Sequence, residues 1–135
     1  MNRSLLIAYQ WMTGLSDTLT GALLYVAPWL TLRLMGVHAP ADSAPYVGYI
    51  GAFVLSVGLA GLYGAHLVAN RAPIERIETV WLLTAFSRAA VVVYLLKCIL
   101  AGQIEAAWTS VALFDGVCVL VQAIGLRKRW LAHAQ

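Results

Sequence analysis

ALFDGVCV, residues 112–119, lies in the middle of an apolar run of about twenty residues, and it carries a carboxylate, Asp115, near the centre of that run. About twenty mainly apolar residues are what a helix needs to cross the hydrocarbon core of a bilayer. Three other stretches read the same way, roughly 5–31, 46–69 and 79–100, beside the last at 105–126. Each contains polar residues that lipid cannot satisfy, so these helices are expected to pack against one another. Of the 135 residues, 61% are hydrophobic and only 11% charged. A soluble domain carries about 25% charged residues, so there is too little charge here for a water-facing surface. The expectation is an all-α integral membrane protein, a single transmembrane domain over 1–135.

The connections fit this frame. HAPADSAP at 38–45, NRAPIERIE at 70–78 and AGQIE at 101–105 are short and rich in turn formers or charge. Short loops make neighbours antiparallel in an up-down four-helix bundle. Pro28, near the end of the first segment, is expected to bend it or mark the membrane interface, and Pro73 suits the start of a helix. Arg3, Arg71, Arg76, Arg127, Lys128 and Arg129 fall on one side, Arg33 and Lys97 on the other. The positive-inside rule then puts both termini in the cytoplasm. Gln10, Thr13 and Asp17 interrupt the apolar core that a cleaved signal would need, so the first segment is expected to be a retained helix.

Several classes are disfavoured. No basic patch is interleaved with aromatics, so nucleic acid is not an expected partner, whereas membrane lipid is. Cys98 and Cys118 fall at different depths and lack metal-ligand spacing, and they read as small buried apolar residues. His66 has no second histidine within the apolar segments, since His38 is in a loop and His133 in the tail, so neither haem nor another metal or cofactor is expected.

Depth singles out three residues. Asp17, Arg88 and Asp115 lie near the centres of the first, third and fourth segments. A charge at that depth costs about 2.5–3.5 kcal/mol on insertion scales. Three independent occurrences are less economical than one network in which the guanidinium bridges both carboxylates. Helical spacing adds neighbours: Gln10, Thr13 and Thr20 beside Asp17; Glu78, Trp81 and Thr84 beside Arg88; Trp108, Cys118 and Gln122 beside Asp115. On the second segment Tyr49, Ser56, Tyr63 and Asn70 recur every seven residues, with Gly51, Gly58 and Gly61 almost opposite. The polar stripe is expected to face the interior. The glycine side would admit a close backbone, from a neighbouring helix or from a second protomer in a homo-oligomer. Gln10, Thr13, Tyr63, Thr84, Gln122 and Trp81 are the expected ligand-binding residues, around a polar cavity open toward the cytoplasm.

PWLTLRLMG (28–36) followed by PYVGYIGAFVLSVGLAGLYGA (45–65) resembles small four-helix bacterial inner-membrane proteins in the neighbourhood of the DoxX-like families. That resemblance covers about a third of the chain and implies fold and location, with no reaction attached. The Asp–Arg–Asp set is similar, in chemistry alone, to the catalytic arrangement of limonene-epoxide hydrolases, which have an unrelated soluble fold. By that analogy Asp17 and Asp115 would share acid and base roles, with Arg88 orienting both.

Two functions follow. One is a binding or accessory membrane protein, its polar interior holding a lipophilic small molecule. The alternative is a membrane-embedded acid/base enzyme of epoxide hydrolase, isomerase or cyclase type, because two carboxylates and one arginine sum to −1 and favour a proton on one aspartate. A proton-coupled transporter would show paired midplane helix breaks or internal repeats, and neither is visible.

Overall fold

The fold is described from a computed structural model over residues 2–132, and His133 lies outside the described residues. The described chain is helical: α1 (Arg3–Val26), α2 (Pro28–Leu34), α3 (Ala44–Ala69), α4 (Ile74–Leu100) and α5 (Thr109–Arg127), with 3-10 turns at Ala41–Ser43 and Ala106–Trp108.

The first segment, expected over 5–31, divides in two at Pro28. Proline lacks an N–H and disfavours helical dihedrals at the residue before it. Ala27 accordingly leaves the helical region (φ −139°, ψ 61°), and α2 restarts with Pro28 at its first position. Asn2 opens α1 by accepting the Leu5 N–H at 2.9 Å. α4 begins immediately after Pro73, five residues ahead of the expected 79, so NRAPIERIE is mostly helix rather than loop.

Four helices end in the same way. The second residue past the helix turns left-handed, and the next N–H reaches back five residues: Val37 to Leu32 (2.9 Å), Ala72 to Leu67 (3.0 Å), Gln103 to Cys98 (2.9 Å) and Trp130 to Gly125 (2.9 Å). This is the Schellman arrangement, which satisfies otherwise orphaned carbonyls. The left-handed residues are Gly36 and Gly102 at two of these ends, Arg71 and Arg129 at the other two.

Among the described residues, three helical stretches are long and apolar enough to cross a membrane: α3, α4 and Ala106–Arg127, which contains α5. The expected fourth, α1, has 24 residues but is not among them, because Gln10, Thr13, Ser16, Asp17, Thr18 and Thr20 dilute its apolarity. α1 instead packs along α3, where glycines let the two backbones touch. A Cβ on Gly14 would lie 2.8 Å from the Leu62 nitrogen, one on Gly21 2.6 Å from the Leu55 Cα, and one on Gly51 2.6 Å from the Tyr25 nitrogen. Contact positions fall along α3 as they rise along α1. α4 packs on both α3 and α5.

The interior is layered. One apolar cluster gathers Leu6, Leu67, Val68, Ile77, Trp81 and Leu131. A second gathers Leu24, Leu32, Val37 and Val47, with Trp108 against it. On α1, Gln10, Thr13 and Asp17 fall between Leu6 of the first cluster and Leu24 of the second, and all three are buried. Side-chain ties reinforce both ends. Arg3 donates to the Val68 and Ala69 carbonyls at the end of α3. At the other end the His38 N–H donates to Glu105 Oε2 at 3.0 Å.

Candidate functional site

Between the apolar clusters, α1, α4 and α5 each contribute one ionisable residue. Arg88 on α4 donates through Nη2 to Asp17 Oδ2 on α1 and through Nη1 to Asp115 Oδ1 on α5. The side chains are only 6%, 11% and 14% exposed for Arg88, Asp17 and Asp115 respectively, so charge is compensated largely by charge. The two acids use separate guanidinium nitrogens, which leaves one oxygen of each carboxylate outside the bridge. The Phe114 ring lies 5.6 Å from the Arg88 guanidinium carbon and presents its negative face to the cation.

Around the three ions runs a neutral polar shell. Gln122 donates to Thr84 Oγ1 at 2.7 Å and approaches the Trp81 carbonyl at 3.4 Å. Thr84 returns its own hydroxyl to the Val80 carbonyl at 2.8 Å, and Thr13 does the same to Tyr9 at 2.9 Å. The Tyr9 hydroxyl crosses to the Cys118 carbonyl at 3.3 Å, and its ring lies 5.7 Å from that of Trp81. Both cysteines are free and buried.

Of the residues expected from sequence, Asp17, Arg88 and Asp115 meet, and Gln10, Thr13, Trp81, Thr84 and Gln122 collect beside Arg88 along one cavity. Tyr63 does not. Tyr63 is 52% and Tyr49 77% exposed, and Ser56, His66 and Asn70 are exposed with them. The polar stripe of α3 therefore faces outward and the glycine side turns inward: Gly51 and Gly58 are buried and Gly61 is half-buried against Gly14 of α1, while Gly64, outside the expected set, is buried too. The reason is steric: without a side chain, α3 can lie against the α1 backbone, and that gain in contact outweighs sheltering a few hydroxyls. The close backbone that the glycines admit is a neighbouring helix of the same chain.

Tyr9 and Phe114 belong to the site and were missed. Tyr9 stands four residues before Thr13 and eight before Asp17, a helical spacing that would have flagged it. Phe114 carries no periodic signal, since its only mark is adjacency to Asp115.

The cavity is small. It measures about 10 Å³ and is lined by Gln10, Trp81, Thr84, Arg88 and Gln122, among others. Leu6, Ile77, Trp81 and Leu131 pack tightly at the end where an opening toward the cytoplasm was expected.

Comparison of the chain with family models, with curated proteins and with solved structures gave no match.

Proposed function

We propose that this chain is a small multi-pass protein of the bacterial inner membrane, DoxX-like in general character, whose Asp17–Arg88–Asp115 set binds the polar group of a lipophilic molecule. α1, α3, α4 and α5 form an antiparallel four-helix bundle in one domain, with both termini cytoplasmic. The basic residues sorted to one side support the orientation. The Arg3 tie to the end of α3 supports it too, since it brings the N-terminus and the Arg71 loop together.

One observation carries the binding reading. Three helices bring two carboxylates onto one guanidinium, a set whose formal charge is −1. A residual negative charge in low dielectric attracts a hydrogen-bond donor, a hydroxyl or an amine. A pocket for a drug-sized ligand holds about 300–1,000 Å³, far more than the 10 Å³ beside Arg88. The apolar body of the ligand therefore stays in the bilayer and only its polar end meets the set, at Asp115, the most exposed of the three. A partner subunit presenting such a group from its own helix would use the same chemistry, which is the accessory form of this reading.

A second reading is favoured by the same pair of acids. With one carboxyl protonated and the other charged, Asp17 and Asp115 form an acid/base couple for hydrolysis, isomerisation or cyclisation of a lipophilic substrate.

Native mass spectrometry from nanodiscs, wild type beside Asp115→Asn, tests the first reading. It expects a discrete small molecule on wild type that the variant loses. Bulk lipid alone on both proteins would remove it.

A further inference from the structure

Five buried side-chain atoms lack a partner among the described residues: Gln10 Nε2, Gln10 Oε1, Trp81 Nε1, Gln122 Oε1 and Thr18 Oγ1. Four of them belong to residues lining the cavity beside Arg88. Those residues, Gln10, Trp81 and Gln122, are only 3%, 1% and 5% exposed. A buried polar atom without a partner costs about 1–3 kcal/mol. Four on one cavity outweigh the loss of filling it with apolar side chains, unless something there pairs with them.

The walls hold these groups in place. Gly64 leaves room for the Gln10 amide, since a Cβ there would come within 2.8 Å of Gln10 Oε1. Gly125 leaves room for the Trp81 indole, which a Cβ would meet at 3.2 Å from Cη2 and closer still at Cζ3. Gln122 is oriented by donating its Nε2 to Thr84, which turns its oxygen into an acceptor without a donor.

The chemistry of the four atoms is mixed. Trp81 Nε1 and Gln10 Nε2 donate, while Gln10 Oε1 and Gln122 Oε1 accept. Arg88 lines the same cavity, with five N–H donors of which the carboxylates take two. A cation would be repelled by the donors, and an anion would meet two amide oxygens and a set already at −1. A volume of 10 Å³ is that of one water-sized molecule.

We propose that this cavity is a built site for one water molecule, which accepts from Trp81 Nε1 and from Arg88 and donates to the Gln10 and Gln122 oxygens. Gln10, Trp81 and Gln122 stand on α1, α4 and α5, the helices that carry Asp17, Arg88 and Asp115. The water thus forms a second polar link across these helices, and it is a resident hydrogen-bond partner for the guanidinium. This goes beyond the ligand reading and holds whether or not a lipophilic molecule binds at Asp115.

The test is solution NMR of the full-length, ¹⁵N-labelled protein in nanodiscs. The Trp81 indole signal is identified by its loss in Trp81→Phe. If that variant fails to fold, the Phe variants of Trp11, Trp29, Trp108 and Trp130 identify it by elimination. In wild type the Trp81 Nε1–H shows a direct nuclear Overhauser effect to water, and Gln122→Met, or Gln10→Met if the first does not fold, loses it. An indole with no water contact, or one whose contact survives these substitutions unchanged, overturns the proposal.

Discussion

Thr18 sits directly over Gly58: a Cβ on that glycine would lie 2.6 Å from the Thr18 hydroxyl oxygen and 2.8 Å from its Cα. The obstacle is backbone as well as side chain, so no rotamer change relieves it and α1 must move off α3. Gly58→Ala is expected to cost about 1–3 kcal/mol, the usual range for overpacking. Gly48→Ala, on the same helix with nothing within 4 Å, is expected to stay within about 0.5 kcal/mol of wild type. Thermal or SDS unfolding followed by circular dichroism in micelles compares the two.

Charge arithmetic ranks substitutions in the ion set. Asp17→Asn or Asp115→Asn leaves one carboxylate on one guanidinium and a formal charge of zero. Arg88→Met leaves two buried carboxylates with no cation. Breaking a buried ionic group by removing one partner typically costs about 3–5 kcal/mol, and Arg88→Met is expected to fall there, with each Asn variant well below it. Equal losses in all three, measured by the same unfolding assay, would contradict the bridging role of Arg88.

Arg71 closes α3 in the left-handed conformation (φ 52°), which costs a non-glycine residue roughly 1–2 kcal/mol. Arg71→Gly removes that penalty and adds some entropy to the unfolded chain, so a net stabilisation of up to about 1 kcal/mol is expected. An unfolding midpoint below that of wild type would show that the arginine side chain contributes more than its backbone conformation costs.

The proposed orientation is tested by single cysteines in a background lacking Cys98 and Cys118. A cysteine at Gln103 is expected to react with a membrane-impermeant maleimide in intact spheroplasts. One at Lys128 is expected to react only after permeabilisation. The reverse pattern would invert the topology.

The ion set was legible in sequence because burying charge in lipid is so costly that residues at matched depth must meet. Asp17 and Arg88 are 71 positions apart, yet their distances from the segment ends are enough to put them at one depth. The face of α3 was not legible from polarity. Between helices in lipid there is no hydrophobic driving force, so close packing of small residues decides which side turns inward. Gly51, Gly58 and Gly61 held that information, while Tyr49 and Tyr63 mark the side that faces outward. Cavity size was equally hidden, because polar residues at helical spacing say nothing about how Trp81 and Leu6 fill the space between them.

The partnership of Asp17 with Arg88 also sets a schedule for biogenesis. In the proposed membrane setting, α1 leaves the ribosome as the least apolar helix, carrying an acid whose counter-ion has not yet been made. At about 5–20 residues per second, the 71 residues from Thr18 through Arg88 take roughly 4–14 s to synthesise. During that interval neither the glycine seat on α3 nor the arginine on α4 is in place at first, and α1 depends on the insertion machinery or the membrane interface to hold it. The chain commits its most vulnerable helix first and its stabilising charge late, so a truncated product ending before Arg88 is expected to be a poor membrane protein and a ready substrate for membrane proteases.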